Sequence, residues 1–481
     1  MMQLSKLLPA VSFVAMLFCV TASVAQQNRL PDIGTAGASV MSVERERSYG
    51  DLYMRQLRAQ APIVGDPVLN EYLKDMGTRL VREADDVRFP FTFFWINQND
   101  INAFAFFGGY IGFYTGLIAE TQSESELASV MAHEVAHVSQ RHIVRNMERM
   151  QNATPNTLVA MLGAVLLGMI SPDLGMAALS TSLAGAQQMQ INYTRQFEQE
   201  ADRVGLAMLV RAGYDPMGAP AFFSRLAEKH RYATKLPQML LTHPVSEARI
   251  ADTRVRAEAL PRPANRDESR YLLAKARVQA RHLQVAQEET LKRLLSDRMT
   301  PVDNANRYAL AILLLDQRRA AEAEQLLAPL LAHEPMNGFY LDVQTDILLA
   351  LNRADEAVQM LKQAYIREPR EQVITLNFAN AALQAKQPAL AVELLRDYLL
   401  RDDSNVLALD LLVEAYRQQG NSAAMHETRA DLYALHGAFD QAINNLHLAH
   451  KGNQSELDRR RLQARIEQLM TQKKQLQDLF G

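Results

Sequence analysis

A period of 34 residues dominates the C-terminal half of the chain and constrains its fold more than any other feature. Ala323, Ala357 and Ala391 recur at this spacing, in the phrases AAEAEQLL, ADEAVQML and PALAVELL. A 34-residue period with a small side chain where two helices approach each other is the tetratricopeptide (TPR) pattern. Because such repeats stack on their neighbours, the pattern predicts an α-helical TPR solenoid over residues 263–481.

The repeat pattern weakens towards the C-terminus. The next step of the period reaches Met425, and a stronger unit that includes Ala430, Gly437 and Ala442 is out of phase by half a repeat. We expect the helical stack to continue through this shift. The charged segment Ser455–Phe480 would then cap the stack, because the last repeat needs a polar outer face.

The residues before the repeats divide into a targeting segment and one further domain, which we assign to 26–262. A chain of 481 residues is too long for one compact core. Residues 1–25 combine Lys6, an apolar run from Leu7 to Val20 and small residues before the end, which predicts a cleaved signal peptide. The alternative is an uncleaved membrane anchor, but a spanning helix needs an apolar run of ~20 residues.

Composition excludes two classes of protein. The single cysteine, Cys19, lies in the apolar run, so the secreted chain would contain neither a disulfide nor a thiolate metal site. The formal net charge of −3 gives no indication of nucleic-acid binding.

The domain before the repeats has the pattern of a mainly α fold with a small β-sheet. Pro67–Asp85 has helical periodicity, and Phe89–Ile118 is rich in aromatic and β-branched residues with turn signals between them, which predicts two or three short strands. A helix is expected to begin at Ser123, with Glu126 completing a capping box. The apolar stretch 156–191 has two interpretations: a buried helix pair, or a hairpin in peripheral contact with a membrane or a hydrophobic partner.

The helix that begins at Ser123 contains the sequence HEVAH. Its histidines, His133 and His137, lie within about 40° of each other on a helix, so both imidazoles can reach one ion. Glu134 is turned about 100° away and can hold a metal-bound water without binding the metal. This is the pattern of zinc hydrolases, and the alternative is an amphipathic helix with two exposed histidines. His142, about 140° beyond His137, is expected to face elsewhere and to be structural.

The sequence YTRQFEQEADRVG supplies a candidate third ligand. Glu198 and Asp202 are four residues apart on a predicted helix and therefore share a face. Glu198 would complete a His₂Glu site with one position open for water, and Asp202 would accept a hydrogen bond from the outer nitrogen of a ligand histidine. The alternative is a surface carboxylate pair. Glu200 is rotated away and is expected to be solvated.

Together these segments resemble the M48 family of zinc metallopeptidases. The resemblance rests on NAFAFFGGYIGFYTGLI, HEVAH, YTRQFEQEADRVG and THPVSEARI, and covers roughly residues 102–250. It implies a zincin-type domain that holds one Zn²⁺ per chain. The implied roles are metal binding by His133, His137 and Glu198, general base catalysis by Glu134, orientation of a ligand by Asp202, and a substrate cleft near Asn102, Ala103, Phe104 and Arg249.

His243, in the His-Pro loop of THPVSEARI, is also expected near the metal, with two possible roles. A neutral imidazole is a good zinc ligand, so His243 in the fourth position would displace the attacking water and inhibit the enzyme. Alternatively, His243 only binds substrate or packs beside the site.

Three functions are compatible with these features. The resemblance, the signal peptide and the repeats imply a periplasmic endopeptidase at the outer membrane that degrades misfolded or stalled β-barrel proteins. Its TPR region would contact the barrel-assembly machinery and unfolded clients. The second function is a non-proteolytic TPR scaffold or chaperone with a vestigial site, although the motif residues are intact. The third, an intramembrane protease, lacks a convincing spanning segment.

Overall fold

The computed structural model describes most of the chain after the N-terminal segment. The described residues are 40–149, 159, 163, 168, 195–234, 236–263, 267–296, 298–452 and 455–480. The predicted signal peptide, 1–25, and nearly all of the apolar stretch 156–191 lie outside these residues. Among the helices that are described, none combines the length and the apolar character needed to cross a membrane.

The first part of the described chain contains helices around one small sheet. Its strands are β1 (Thr92–Ile96), β2 (Ala103–Phe106) and β3 (Tyr110–Tyr114). Its helices are α1 (Val43–Gln60), α2 (Pro67–Val81), α3 (Thr115–Glu120), α4 (Glu124–Ser139), α5 (His142–Arg149), α6 (Arg195–Arg211), α7 (Gly218–Lys229), α8 (Gln238–Thr242) and α9 (Glu247–Glu258).

The three strands confirm the prediction of a small sheet in this region. Their order is β1-β3-β2, with β1 parallel and β2 antiparallel to β3. Gly112 in the central strand leaves room for the rings of Phe94 and Phe104, since a Cβ there would lie 2.9 Å and 2.7 Å from their atoms. Strand β2 is paired only with β3 among the described residues, so it forms one edge of the sheet.

Helix α4 is the centre of this part of the molecule. It begins after Ser123, as predicted, and the Ser123 hydroxyl accepts a hydrogen bond from the Glu126 N–H at 3.3 Å. Every residue of α4 is buried. Helix α6 approaches its backbone closely at Gly205, where a Cβ would lie 3.1 Å from the Ala132 carbonyl and from the His133 nitrogen. The glycine therefore allows α4 and α6 to bring their side chains together.

The C-terminal part consists of helices at regular spacing. After α10 (Ser269–Arg277) and α11 (Glu288–Leu294), the helices are α12 (Pro301–Asp316), α13 (Ala320–His333), α14 (Gly338–Ala350), α15 (Ala354–Arg367), α16 (Gln372–Gln384), α17 (Pro388–Leu399), α18 (Val406–Gln419), α19 (Ser422–Leu435), α20 (Phe439–Gly452) and α21 (Glu456–Phe480). Successive helices in the set α13, α15, α17, α19 and α21 begin one 34-residue period apart. This spacing agrees with the TPR interpretation. Half a period corresponds to one helix and its turn, so the half-repeat shift in the sequence pattern leaves the spacing of the helix starts unchanged.

A buried cation joins the two parts. Arg277, 2% exposed, donates from Nε to Asp66 at 2.6 Å and from Nη1 to the Tyr308 hydroxyl at 2.9 Å. Its Nη2 lies 2.7 Å from Asp342 of α14. Since Asp66 also caps the N-terminus of α2, this network fixes α2 against α12 and α14. The domain boundary near residue 262 remains a prediction.

Candidate metal centre

Helices α4 and α6 and the residue after α8 bring four potential metal ligands together. One ligand atom from each of His133, His137, Glu198 and His243 lies within 4.8 Å of the others, and all four residues are buried. The His133 Nε2 atom is 2.9 Å from His137 Nε2 and 3.3 Å from His243 Nδ1.

The Glu198 carboxylate completes the cluster and matches the geometry of a zinc ion. Its oxygens lie 3.5 Å from His133 Nε2, 3.4 Å from His137 Nε2 and 3.0 Å from His243 Nδ1. Ligand atoms at about 2.0–2.1 Å from a tetrahedral ion are about 3.3 Å apart, so these spacings fit one zinc. Burial alone would raise the pKa of Glu198, but the three histidines outweigh it and hold the pKa well below its usual value.

Glu134 lies beside the cluster and is not one of its four potential ligands. It is completely buried, and neither of its oxygens has a hydrogen-bond partner within the described part of the chain. His243 Nε2 lies 3.4 Å from Oε1. Burial raises the pKa of Glu134, against the lowering influence of His243 and His133. Buried carboxyl groups normally have hydrogen-bond partners. A metal-bound water would supply the partner that Glu134 lacks among the described residues.

A carboxylate and a guanidinium hold the outer side of His133. Asp202 Oδ1 lies 3.0 Å from His133 Nδ1, the position that its spacing from Glu198 predicts. Arg249 donates to both oxygens of Asp202, at 2.5 Å and 2.8 Å, and its Nη1 lies 2.6 Å from Glu198. Burial would raise the pKa of Asp202, but Arg249 and His133 hold it below its usual value.

The assignment of Arg249 to a substrate cleft therefore needs correction. The residue is 5% exposed, and its nitrogens are engaged with the carboxylates of α6 and with the Pro244 carbonyl. Its guanidinium also lies over the Phe223 ring, 5.0 Å from the centroid. Arg249 supports the ligand Glu198 rather than facing a bound peptide.

The expectation that His142 faces away from the site is wrong. Its Nδ1 lies 2.8 Å from Nδ1 of His137. The prediction extended the helical count of 100° per residue through Arg141, but α4 ends at Ser139 and Arg141 has a φ of 50° in the left-handed region. The chain turns there and α5 begins at His142, so the angular count no longer applies.

The expectation that Glu200 is solvated is also wrong, because its partners lie on another helix, α5, and not on α6. Glu200 lies 3.4 Å from His142 Nε2 and accepts hydrogen bonds from Arg145 at 3.1 Å. The adjacent His142 ring and the Arg145 guanidinium lower the pKa of Glu200 to about 2.

The other three residues expected to line the substrate cleft, Asn102, Ala103 and Phe104, lie at or just before the start of β2. Ala103 and Phe104 are buried, and the Asn102 side-chain amide donates to Gln238 of α8 at 3.1 Å. The backbone N–H of Met239 donates to the carbonyl of Ile101 at 3.2 Å. The segment that carries His243 therefore lies across the start of the edge strand.

Comparisons with known proteins agree with this arrangement. The model of peptidase family M48 matches residues 67–257. The chain is 42% identical to the beta-barrel assembly-enhancing protease of Yersinia pestis over 92% of each chain. It is 42% identical to the protein of that name from Escherichia coli (strain K12), over 94% of this chain and 92% of the relative. Mitochondrial metalloendopeptidase OMA1 of Arabidopsis thaliana is 34% identical over 34% of this chain and 32% of that protein.

Proposed function

Because this chain belongs to peptidase family M48 and is a zinc metalloendopeptidase, we propose that it degrades misfolded or stalled outer-membrane β-barrel proteins in the periplasm. Similarity over most of its length to relatives named beta-barrel assembly-enhancing proteases supports the substrate class. The expected signal peptide supports the location. The observation that carries the proposal is the buried ligand cluster with Glu134 directly beside it.

The residues in and beside this cluster would have different roles in peptide hydrolysis. His133, His137 and Glu198 would hold the zinc ion, which would lower the pKa of a bound water and polarise the scissile carbonyl. Glu134 accepts the proton of that water and passes it to the leaving amide nitrogen. Its raised pKa suits this role, since a base that must also donate works best near the operating pH.

We propose further that His243 holds the site closed. Its ring lies between the ligands and the base, with Nδ1 3.0 Å from Glu198 and Nε2 3.4 Å from Glu134. This is the space that the attacking water and the scissile peptide need. Opening the site requires α8 to release Asn102 at the sheet edge, where an extended substrate strand would pair.

The repeat region, 263–481, is proposed to recruit the barrel-assembly machinery and unfolded outer-membrane clients. Stacked helix repeats present extended surfaces that suit such docking. Peripheral membrane contact through 156–191 is a separate proposal, motivated by the apolar composition of that stretch.

One observation favours a second function, that of a non-proteolytic scaffold or chaperone for barrel assembly. His243 lies beside both Glu198 and Glu134, where a substrate peptide and the attacking water would have to bind. A chain that stays closed would bind clients without cutting them.

Cleavage of an unfolded β-barrel protein by the zinc-loaded chain lacking residues 1–25 separates these functions. We expect slow cleavage by the wild type, faster cleavage by His243→Ala and none by Glu134→Gln. His243→Ala no faster than the wild type would overturn closure by His243. No cleavage by any variant with zinc bound would overturn the proposed peptidase function in favour of the scaffold.

A further inference from the structure

We infer that His142 is a positioning residue for the metal site, that it fixes the orientation of His137, and that Glu200 and Arg145 hold it in place. The four residues form one line of contacts that leads outward from the ligand cluster. Zinc binding by His137 does not depend on which client the peptidase cuts.

The distances define a direction for the hydrogen bonds along this line. To bind a metal through Nε2, His137 must be neutral and carry its proton on Nδ1. That Nδ1 lies 2.8 Å from Nδ1 of His142, which must then accept. The proton of His142 is therefore on Nε2, which faces the Glu200 carboxylate at 3.4 Å.

The outer end of the line is anchored by charge. Arg145 Nη1 lies 3.1 Å from each oxygen of Glu200. The Glu200 side chain is 15% exposed, so solvent screens this pair only in part. A carboxylate fixed in this way holds the His142 proton on Nε2 and keeps Nδ1 free of a proton for His137.

Packing also fixes the orientation of the His142 ring. The residue is completely buried and stacks on Phe197, with ring centroids 4.6 Å apart and an interplanar angle of 21°. The Arg145 guanidinium lies over the same Phe197 ring, 4.8 Å from its centroid. His142 thus has two separable properties, a stacked ring and a hydrogen-bond acceptor.

The two histidine ligands are held differently as a result. His133 meets the carboxylate of Asp202 directly, at 3.0 Å. Nδ1 of His137 instead lies beside the imidazole of His142, and the carboxylate of Glu200 lies on the far side of that ring. Partners of this kind typically change metal affinity about 10–100-fold when removed.

A matched pair of substitutions separates the acceptor from the ring. His142→Phe keeps a stacked ring but has no acceptor. His142→Asn loses the ring, but its side-chain oxygen can accept from His137 where Nδ1 does now. We would measure the zinc dissociation constant of each variant, as residues 26–481, by competition with a chelator. We would also measure urea unfolding of each zinc-free variant.

The positioning role predicts that His142→Phe binds zinc about 10–100-fold more weakly than the wild type. It predicts that His142→Asn keeps most of the wild-type zinc affinity. A purely structural role predicts the reverse order, because Phe would preserve the packing and Asn would not. Wild-type zinc affinity in His142→Phe, or equal losses in both variants, would overturn the inference.

Glu200→Gln provides a test that keeps the buried core intact, since this side chain is partly exposed. It removes the charge that fixes the His142 tautomer and leaves the ring of His142 in place. We expect weaker zinc binding with an unchanged urea midpoint for the zinc-free protein. Unchanged zinc affinity in Glu200→Gln would contradict the role of Glu200 in the line.

Discussion

Substitution of Gly205 by alanine should weaken zinc binding more than it weakens the fold. An added Cβ would lie 3.1 Å from backbone atoms of Ala132 and His133, about 0.3 Å inside ordinary contact. Because these atoms are backbone, α6 must move away from α4. Glu198 is on α6, while His133 and His137 are on α4, so the movement separates the ligands.

Two opposing effects set the magnitude. Overpacking a core costs about 1–3 kcal/mol, whereas alanine is favoured over glycine inside a helix by about 0.5–1 kcal/mol. The zinc-free protein should therefore lose about 0–2.5 kcal/mol of unfolding free energy. A shift of about 0.3 Å exceeds the tolerance of about 0.2 Å in metal–ligand distances, so the zinc dissociation constant should rise at least about tenfold.

The assay is a zinc titration against a chelator, beside urea unfolding of the zinc-free chain. Gly65→Ala is the matched control, because no atom lies within 4 Å of the Cβ that it adds. Equal zinc affinity in Gly205→Ala and Gly65→Ala would refute the argument that close approach of α4 and α6 sets the ligand geometry.

The remaining predictions concern charge. Arg249→Met leaves the buried carboxylates of Glu198 and Asp202 without their cation, and should lower the unfolding free energy in urea by about 3–5 kcal/mol; a change below about 1 kcal/mol would contradict this. Burial and the neighbouring Glu371 raise the pKa of Glu71 from 4.5 to about 9. The folded state then holds a proton that the unfolded state releases, so this stabilisation is complete below about pH 4.5 and is lost as the pH rises towards 9. Urea unfolding between pH 6 and 9 should show a decline in stability that Glu71→Gln reduces, and an equal decline in both proteins would count against it.

Much of the metal site follows from helical periodicity. His133 and His137, and likewise Glu198 and Asp202, are four residues apart on uninterrupted helices, so their shared faces could be predicted without tertiary information. The fold class followed from equally regular signals, the 34-residue period and the change to strand-like composition before Ser123.

The errors lie where the chain leaves regular structure or where a contact depends on the tertiary fold. His142 was misplaced because the left-handed residue Arg141 interrupts the helix without a glycine to mark it. Glu200 was misplaced because its partners, His142 and Arg145, belong to another helix. The pairing of Arg249 with α6 could likewise not be read from local spacing.

X-ray absorption at the zinc edge of the zinc-loaded chain tests the central claim most directly. If His243 closes the site, the wild type should show three imidazole nitrogens and one carboxylate oxygen at about 2.0–2.1 Å. In His243→Ala, one imidazole should be replaced by the oxygen of a water. Identical zinc spectra from the two proteins would contradict the claim that His243 occupies the position where hydrolysis begins.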